Sequence, residues 1–74
     1  MTKHHGPITR LYKREGYGFV LTPGPWEVAF RQSDLAGTKI TDLEPGMEMS
    51  FELSDGRAPR IARVTPVRQF QKAS

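Results

Sequence analysis

Two aromatic rings, Tyr17 and Phe19, stand in the run Gly16-Tyr17-Gly18-Phe19-Val20. Strand alternation places Tyr17, Phe19 and Leu21 on one face, and Gly18 and Val20 on the other. With Val20 in the core, the two rings turn to water. Large apolar side chains facing solvent ask for a partner, and the glycines at 16 and 18 allow a ligand or another backbone to come close. Arg10, Lys13 and Arg14 precede the run and Arg31 follows it. Antiparallel pairing sets Arg10 and Arg31 on either side of the rings. Aromatic faces stack on unpaired nucleobases at about 1–3 kcal/mol per base. Flanking cations pair with phosphates, and guanidinium planes also stack on bases. The same spacing serves a plainer arrangement, in which the rings cover a small barrel and the arginines hydrate its rim. The spacing alone supports both.

Other side chains extend the first arrangement. Tyr12 sits at the end of the segment before the turn, where it serves either as a further platform or as an ordinary surface residue. Arg57 and Arg60 continue a candidate phosphate track. Trp26, just after Pro23-Gly24-Pro25, either packs the loop onto the barrel or stands exposed as an extra contact. Catalysis is not expected. There is no nucleophile beside a base, no carboxylate pair in a pocket and no phosphate-cradling loop of P-loop spacing. A chain this short also has little interior for a small-molecule substrate or a cofactor. His4 and His5 lack a third ligand, and a closed metal site takes about four. The chain has no cysteine, which excludes disulfides and thiol chemistry and suits a reducing cytoplasm. No apolar run approaches the roughly 20 residues of a membrane span, and no signal-peptide segment is evident. Eleven Lys and Arg against eight Asp and Glu give a formal charge of +3, a modest bias toward polyanionic partners.

The elements that must position these groups read as short strands cut by turns. Segments 8–13, 17–22, 26–31, 47–54 and 60–65 are rich in aromatic and β-branched residues or alternate cleanly. Pro23-Gly24-Pro25, Pro45-Gly46 and Asp55-Gly56 mark turns between them. Residues 33–36 predict one helical turn ended by Gly37. Five short strands around one thin core predict an all-β, closed or partly closed antiparallel barrel. Its core is Ile8, Val20, Val28, Phe30, Leu35, Leu43, Met49, Phe51, Ala62 and Val64, with Leu11, Met47 and Leu53 at the margin. In the last strand Ile61, Arg63 and Thr65 face outward. Residues 1–5 form a disordered lead-in, 6–67 the single domain and 68–74 a frayed tail.

The order of these motifs resembles bacterial cold-shock domains. Gly16-Tyr17-Gly18-Phe19-Val20 resembles the family's first ribonucleoprotein motif, Lys-Gly-Phe-Gly-Phe-Ile. Gly6-Pro7-Ile8 resembles its opening Gly-x-Val, and Glu27-Val28-Ala29-Phe30-Arg31 falls where its second motif, Asp-Val-Phe-Val-His, is found. Ser33-Asp34-Leu35, Leu43-Glu44-Pro45-Gly46 with Met49 and Phe51, and Arg60-Ile61-Ala62-Arg63-Val64 follow the family pattern to about Val67. The resemblance implies a five-stranded barrel of the oligonucleotide-binding (OB) type with one short helical turn after strand 3. It implies binding of single-stranded RNA or DNA, RNA favoured, with a role as an RNA chaperone or a regulator of translation or transcription. Tyr17 and Phe19 keep the family's stacking positions. Arg10 stands where the family has tryptophan, Glu15 where it has lysine, and Ala29, Arg31 and Gln32 where it has phenylalanine, histidine and an aromatic. The Arg-Leu first strand followed by Glu-Gly-Tyr-Gly-Phe also resembles cold-shock-like domains of ribosome-hibernation factors, which adds the ribosome as a candidate partner. The depleted stacking face keeps a second function open, a protein-interaction module on the same barrel. On the first reading the nucleic-acid site is Tyr17, Phe19, Arg10, Arg31, Tyr12, Lys13, Arg57 and Arg60.

Overall fold

The structure, a computed structural model, describes residues 2–24, 26–54 and 59–67. It contains five strands: β1 (Thr2–Tyr12), β2 (Tyr17–Leu21), β3 (Glu27–Arg31), β4 (Glu48–Leu53) and β5 (Ile61–Pro66). They form one antiparallel sheet in the order β3-β2-β1-β4-β5, curled into a half-barrel. The two sheet edges approach each other, and the segment after β3 seals the seam. Leu35 makes a parallel bridge to Val64, and the Ala36 N–H donates to the Val64 carbonyl at 3.0 Å.

β1 belongs to both halves of the sheet. Its first part pairs with β4, from Thr2 opposite Leu53 to Pro7 opposite Glu48. Its second part pairs with β2, from Ile8 opposite Val20 to Tyr12 opposite Tyr17, with the register shifting around Thr9. A bulge of this kind bends a strand and sharpens its twist. Gly6 lies at the change of partner, and a Cβ there would run into the Leu21 carbonyl. Only glycine allows β2 to close over the bend.

The expected disordered lead-in is therefore corrected. Thr2, Lys3, His4 and His5 are strand, because β4 presents a free edge opposite them, and their amide groups complete its ladder. The tail at 68–74 and the Asp55-Gly56 turn lie outside the described residues, as does Pro25 of the Pro23-Gly24-Pro25 turn.

The core consists of Ile8, Val20, Phe30, Ile40, Leu43, Met49, Phe51, Leu53, Ile61 and Val64. Val28 and Leu35, expected inside, pack only partly buried against it. Ala62 is likewise half-buried, and Ile61 points inward rather than outward. The reason is a second bulge. Ser50 pairs with Thr65 but Glu52 with Ala62, so Arg63 and Val64 together oppose Phe51. Arg63 takes a left-handed backbone, φ 53°. The extra residue resets the alternation, so Ile61 and Val64 both reach the core.

Ile40 reaches the core from a 3-10 turn at Ile40–Asp42. The earlier helical turn is also 3-10, at Gln32–Asp34, one residue ahead of its expected start. Gln32 ties the two together. Its Oε1 accepts the Ile40 N–H at 2.7 Å and its Nε2 donates to the Thr38 carbonyl at 2.9 Å.

Candidate functional site

Register alone gathers the rings. Phe19 lies opposite Arg10 on β1 and Ala29 on β3, while Tyr17 lies opposite Tyr12 on β1 and Arg31 on β3. Alternation then puts Arg10 and Tyr12, Tyr17, Phe19 and Leu21, and Glu27, Ala29 and Arg31 on one face of three adjacent strands. Behind them Gly18, Val20 and Phe30 are buried. The turn through residues 13–16, closed by the Gly16 N–H donating to the Tyr12 carbonyl at 2.9 Å, brings the two tyrosines side by side.

Three rings meet on this face. Tyr12 and Tyr17 stack with centroids 4.9 Å apart and planes 27° apart. Phe19 meets Tyr17 edge-on at 5.9 Å and Tyr12 edge-on at 6.4 Å. Offset and edge-to-face pairs of this kind are the favoured aromatic geometries. All three rings are half-buried, so each keeps part of its surface in water. Tyr12, read from the sequence as platform or bystander, is part of the cluster.

Arg10 is not a free cation. Its guanidinium carbon lies 5.1 Å from the Phe19 centroid, and its Nη2 is 3.1 Å from Glu27 Oε1. The Tyr12 side chain, and after it the Glu27 carboxylate, raise its pKa above the ordinary arginine value. The group is charged at any working pH, and its flat fork lies over Phe19 with Glu27 alongside. Glu27 is the participant that residue-by-residue reading missed. The pairing of Leu21 with Glu27 sets the carboxylate one step along from Phe19, a register that the sequence alone does not fix.

The remaining candidates divide. Arg31 is exposed beside Tyr17, and its backbone N–H donates to Asp34 Oδ2 at 2.9 Å. Arg60, also exposed, lines one groove with Arg31, Ala29, Ser33 and Asp34, so β3 and the start of β5 share a cationic margin. Its backbone is fixed by Ser54, whose Oγ accepts the Arg60 N–H at 2.8 Å and whose own N–H donates to the Arg60 carbonyl at 3.0 Å. Lys13 is paired with Glu44, its Nζ 3.2 Å from Glu44 Oε2. Arg57 lies outside the described residues. Trp26 stands exposed, 54% accessible, rather than packed on the barrel. Among the described residues no three His, Cys, Asp or Glu side chains converge as metal ligands, and no helix is long and apolar enough to cross a membrane.

Ala29 beside Phe19 leaves the β3 side of the platform bare, and Gln32 is committed to the Thr38–Ile40 loop. The rings are thus concentrated on β1 and β2, with guanidinium groups at Arg10 and Arg31 on the flanks.

No family model matches the chain. Among curated proteins it is similar to the cold shock-like protein CspD of Bacillus cereus, 40% identical over 61 residues that span 81% of this chain and 92% of the relative. It is also similar to the cold shock protein CspB of Geobacillus stearothermophilus and to CspB of Bacillus caldolyticus. Each is 33% identical over 60 residues, covering 80% of this chain and 91% of the relative. With such relatives aligned along four-fifths of its length, and with five antiparallel strands curled as described, the chain belongs to the cold-shock protein family.

Proposed function

We propose that this cold-shock protein binds single-stranded nucleic acid, RNA in preference to DNA, by stacking unpaired bases on the Tyr12–Tyr17–Phe19 cluster. Arg10 and Arg31 bind on either side of the rings, and Arg60 extends the cationic margin. The observation that carries the reading is the convergence of three partly exposed rings with two arginines on one sheet face. Membership of the cold-shock family supports it.

Stacking needs no particular base, because every base has a π-face, so binding is sequence-tolerant. That is the property of a protein that holds strands open as an RNA chaperone. The preference for RNA rests on the two tyrosines. A phenol donates and accepts hydrogen bonds, and the 2′-hydroxyl is the group by which a protein tells RNA from DNA. The cysteine-free sequence suits a reducing cytoplasm.

A titration of matched RNA and DNA heptamers, followed by backbone amide shifts, tests the proposal. The expected result is tighter binding of RNA, with the largest shifts on β1, β2 and β3. Tyr17→Ala and Phe19→Ala each weaken binding by about 5- to 150-fold, the equivalent of one lost platform. Two or three phosphate contacts give a log–log salt slope of about −1.4 to −2.1. Binding that ignores both substitutions, or shifts confined to β4 and β5, refutes the reading.

A further inference from the structure

The loop between β2 and β3 carries the one large apolar side chain that is exposed among the described residues, Trp26. It is held in a defined place. The buried Thr22 donates twice to the Trp26 carbonyl, from its N–H at 2.9 Å and from its Oγ1 at 3.0 Å. The indole lies directly over Gly24, where an added Cβ would run into the ring. Gly24 does not occupy the left-handed region, so the ring itself is what alanine would meet there. The benzo ring of the indole thus rests against the backbone at Gly24, while the residue keeps about half of its surface in solvent.

Along the chain it adjoins the candidate site. Trp26 precedes Glu27, Glu27 holds Arg10, and Arg10 covers Phe19. Leu21, opposite Glu27, carries the apolar strip of β2 from the ring cluster toward the loop. We propose that Trp26 is a separate stacking platform that takes one further unpaired base of the same strand, beyond the three-ring cluster. A ring held against backbone and still accessible is what such a platform requires. It loses little side-chain freedom on binding, and indole stacks on any base. This inference rests on the nucleic-acid reading of the preceding section.

Trp26 is the sole tryptophan of the chain, so its emission reports on this one ring. Unlabelled RNA heptamer is titrated against tryptophan emission, and end-labelled heptamer against anisotropy. The parent protein is compared with Trp26→Ala, Gly24→Ala and Tyr17→Ala. The expected result is quenching of the parent's emission on the same curve as the anisotropy change. Trp26→Ala lowers affinity by about 5- to 150-fold, with unfolding midpoints unchanged. Gly24→Ala, which keeps the indole but displaces it, shifts the starting emission and loses part of the same affinity. Unquenched emission together with parental affinity in Trp26→Ala overturns the inference, while loss of binding in Tyr17→Ala leaves the three-ring proposal standing. Parental affinity and parental quenching in Gly24→Ala overturn the fixed-ring argument. A parent protein that binds no heptamer at all sinks both proposals together.

Discussion

The Arg10 guanidinium has three neighbours with a claim on it: the Phe19 face, the Tyr12 side chain and the Glu27 carboxylate. Lysine would keep the charge at this position but not the plane, and the two residues are not equivalent where stacking matters. Arg10→Lys is therefore expected to weaken single-strand binding by about 3- to 10-fold while leaving the salt slope unchanged, since the number of neutralised phosphates stays the same. Parallel anisotropy titrations across a salt series measure both quantities, and parental affinity in Arg10→Lys would make Arg10 a simple counter-charge. At this scale the sequence was informative about types and poor about company. Tyr17, Phe19, Arg10 and Arg31 follow from alternation and antiparallel pairing. Glu27 and Tyr12 join them only through the register across two strand pairs, which a single sequence does not print. Lys13 looked equally available, but Glu44, far along the chain, takes its ammonium.

The connection between β3 and β4 depends on one amide side chain. Gln32 replaces the aromatic that the family pattern has at this point, and its two hydrogen bonds hold Thr38 and Ile40. Gln32→Ala leaves the part-buried Ile40 N–H without a partner and is expected to cost about 1–3 kcal/mol. Gln32→Glu retains the acceptor for Ile40 and loses only the donor to Thr38, so it should fall between. Chemical denaturation of the three proteins orders them, and equal stabilities would show that the loop holds without the staple. In β5, Arg63 carries a left-handed backbone that L-residues adopt at a cost of about 1–2 kcal/mol. Its ion pair with Glu52 is long, 3.7 Å, and exposed, so it offsets little. Glycine relieves that cost but adds about 0.5–1 kcal/mol of chain entropy. Arg63→Gly is accordingly expected to stabilise the protein by about 0.5–1 kcal/mol, a rise in Tm of about 2–8 °C. A lower Tm would mean that the arginine side chain matters more than its backbone. These two elements explain where pattern reading stopped. β4 alternates without interruption, and Met49, Phe51 and Leu53 lie inward as expected. β5 contains an extra residue that is not glycine, so nothing in its letters marks the bulge. Ile40 sits alone in a polar connection, where no period exists to reveal it.

A chain of 74 residues has few apolar side chains to spare, and its stability rests on closing β1 against β4. Thr2, Lys3, His4 and His5 provide four steps of that ladder, with the His4 ring 6.4 Å from the Phe51 ring. Removing residues 1–5 is expected to cost about 2–4 kcal/mol, several ladder bonds at about 0.5–1.5 kcal/mol each. Calorimetry on the shortened chain checks this, and an unchanged Tm would restore those residues to the status of a lead-in. The strand number, the curl and most of the core were readable because turn signals and alternation report local geometry. The strand character of the first residues was not, because it depends on an edge some fifty residues away that only the folded sheet presents. That division has a kinetic consequence. Every strand pair that carries the rings is joined by a short hairpin, whereas β1 meets β4 only after most of the chain has been gathered in. Loop closure is cheaper for the first kind of contact. The three-strand meander should therefore acquire its amide protection early in refolding, and the β4–β5 half should be the part that breathes, leaving the aromatic surface assembled while the rest of the molecule opens.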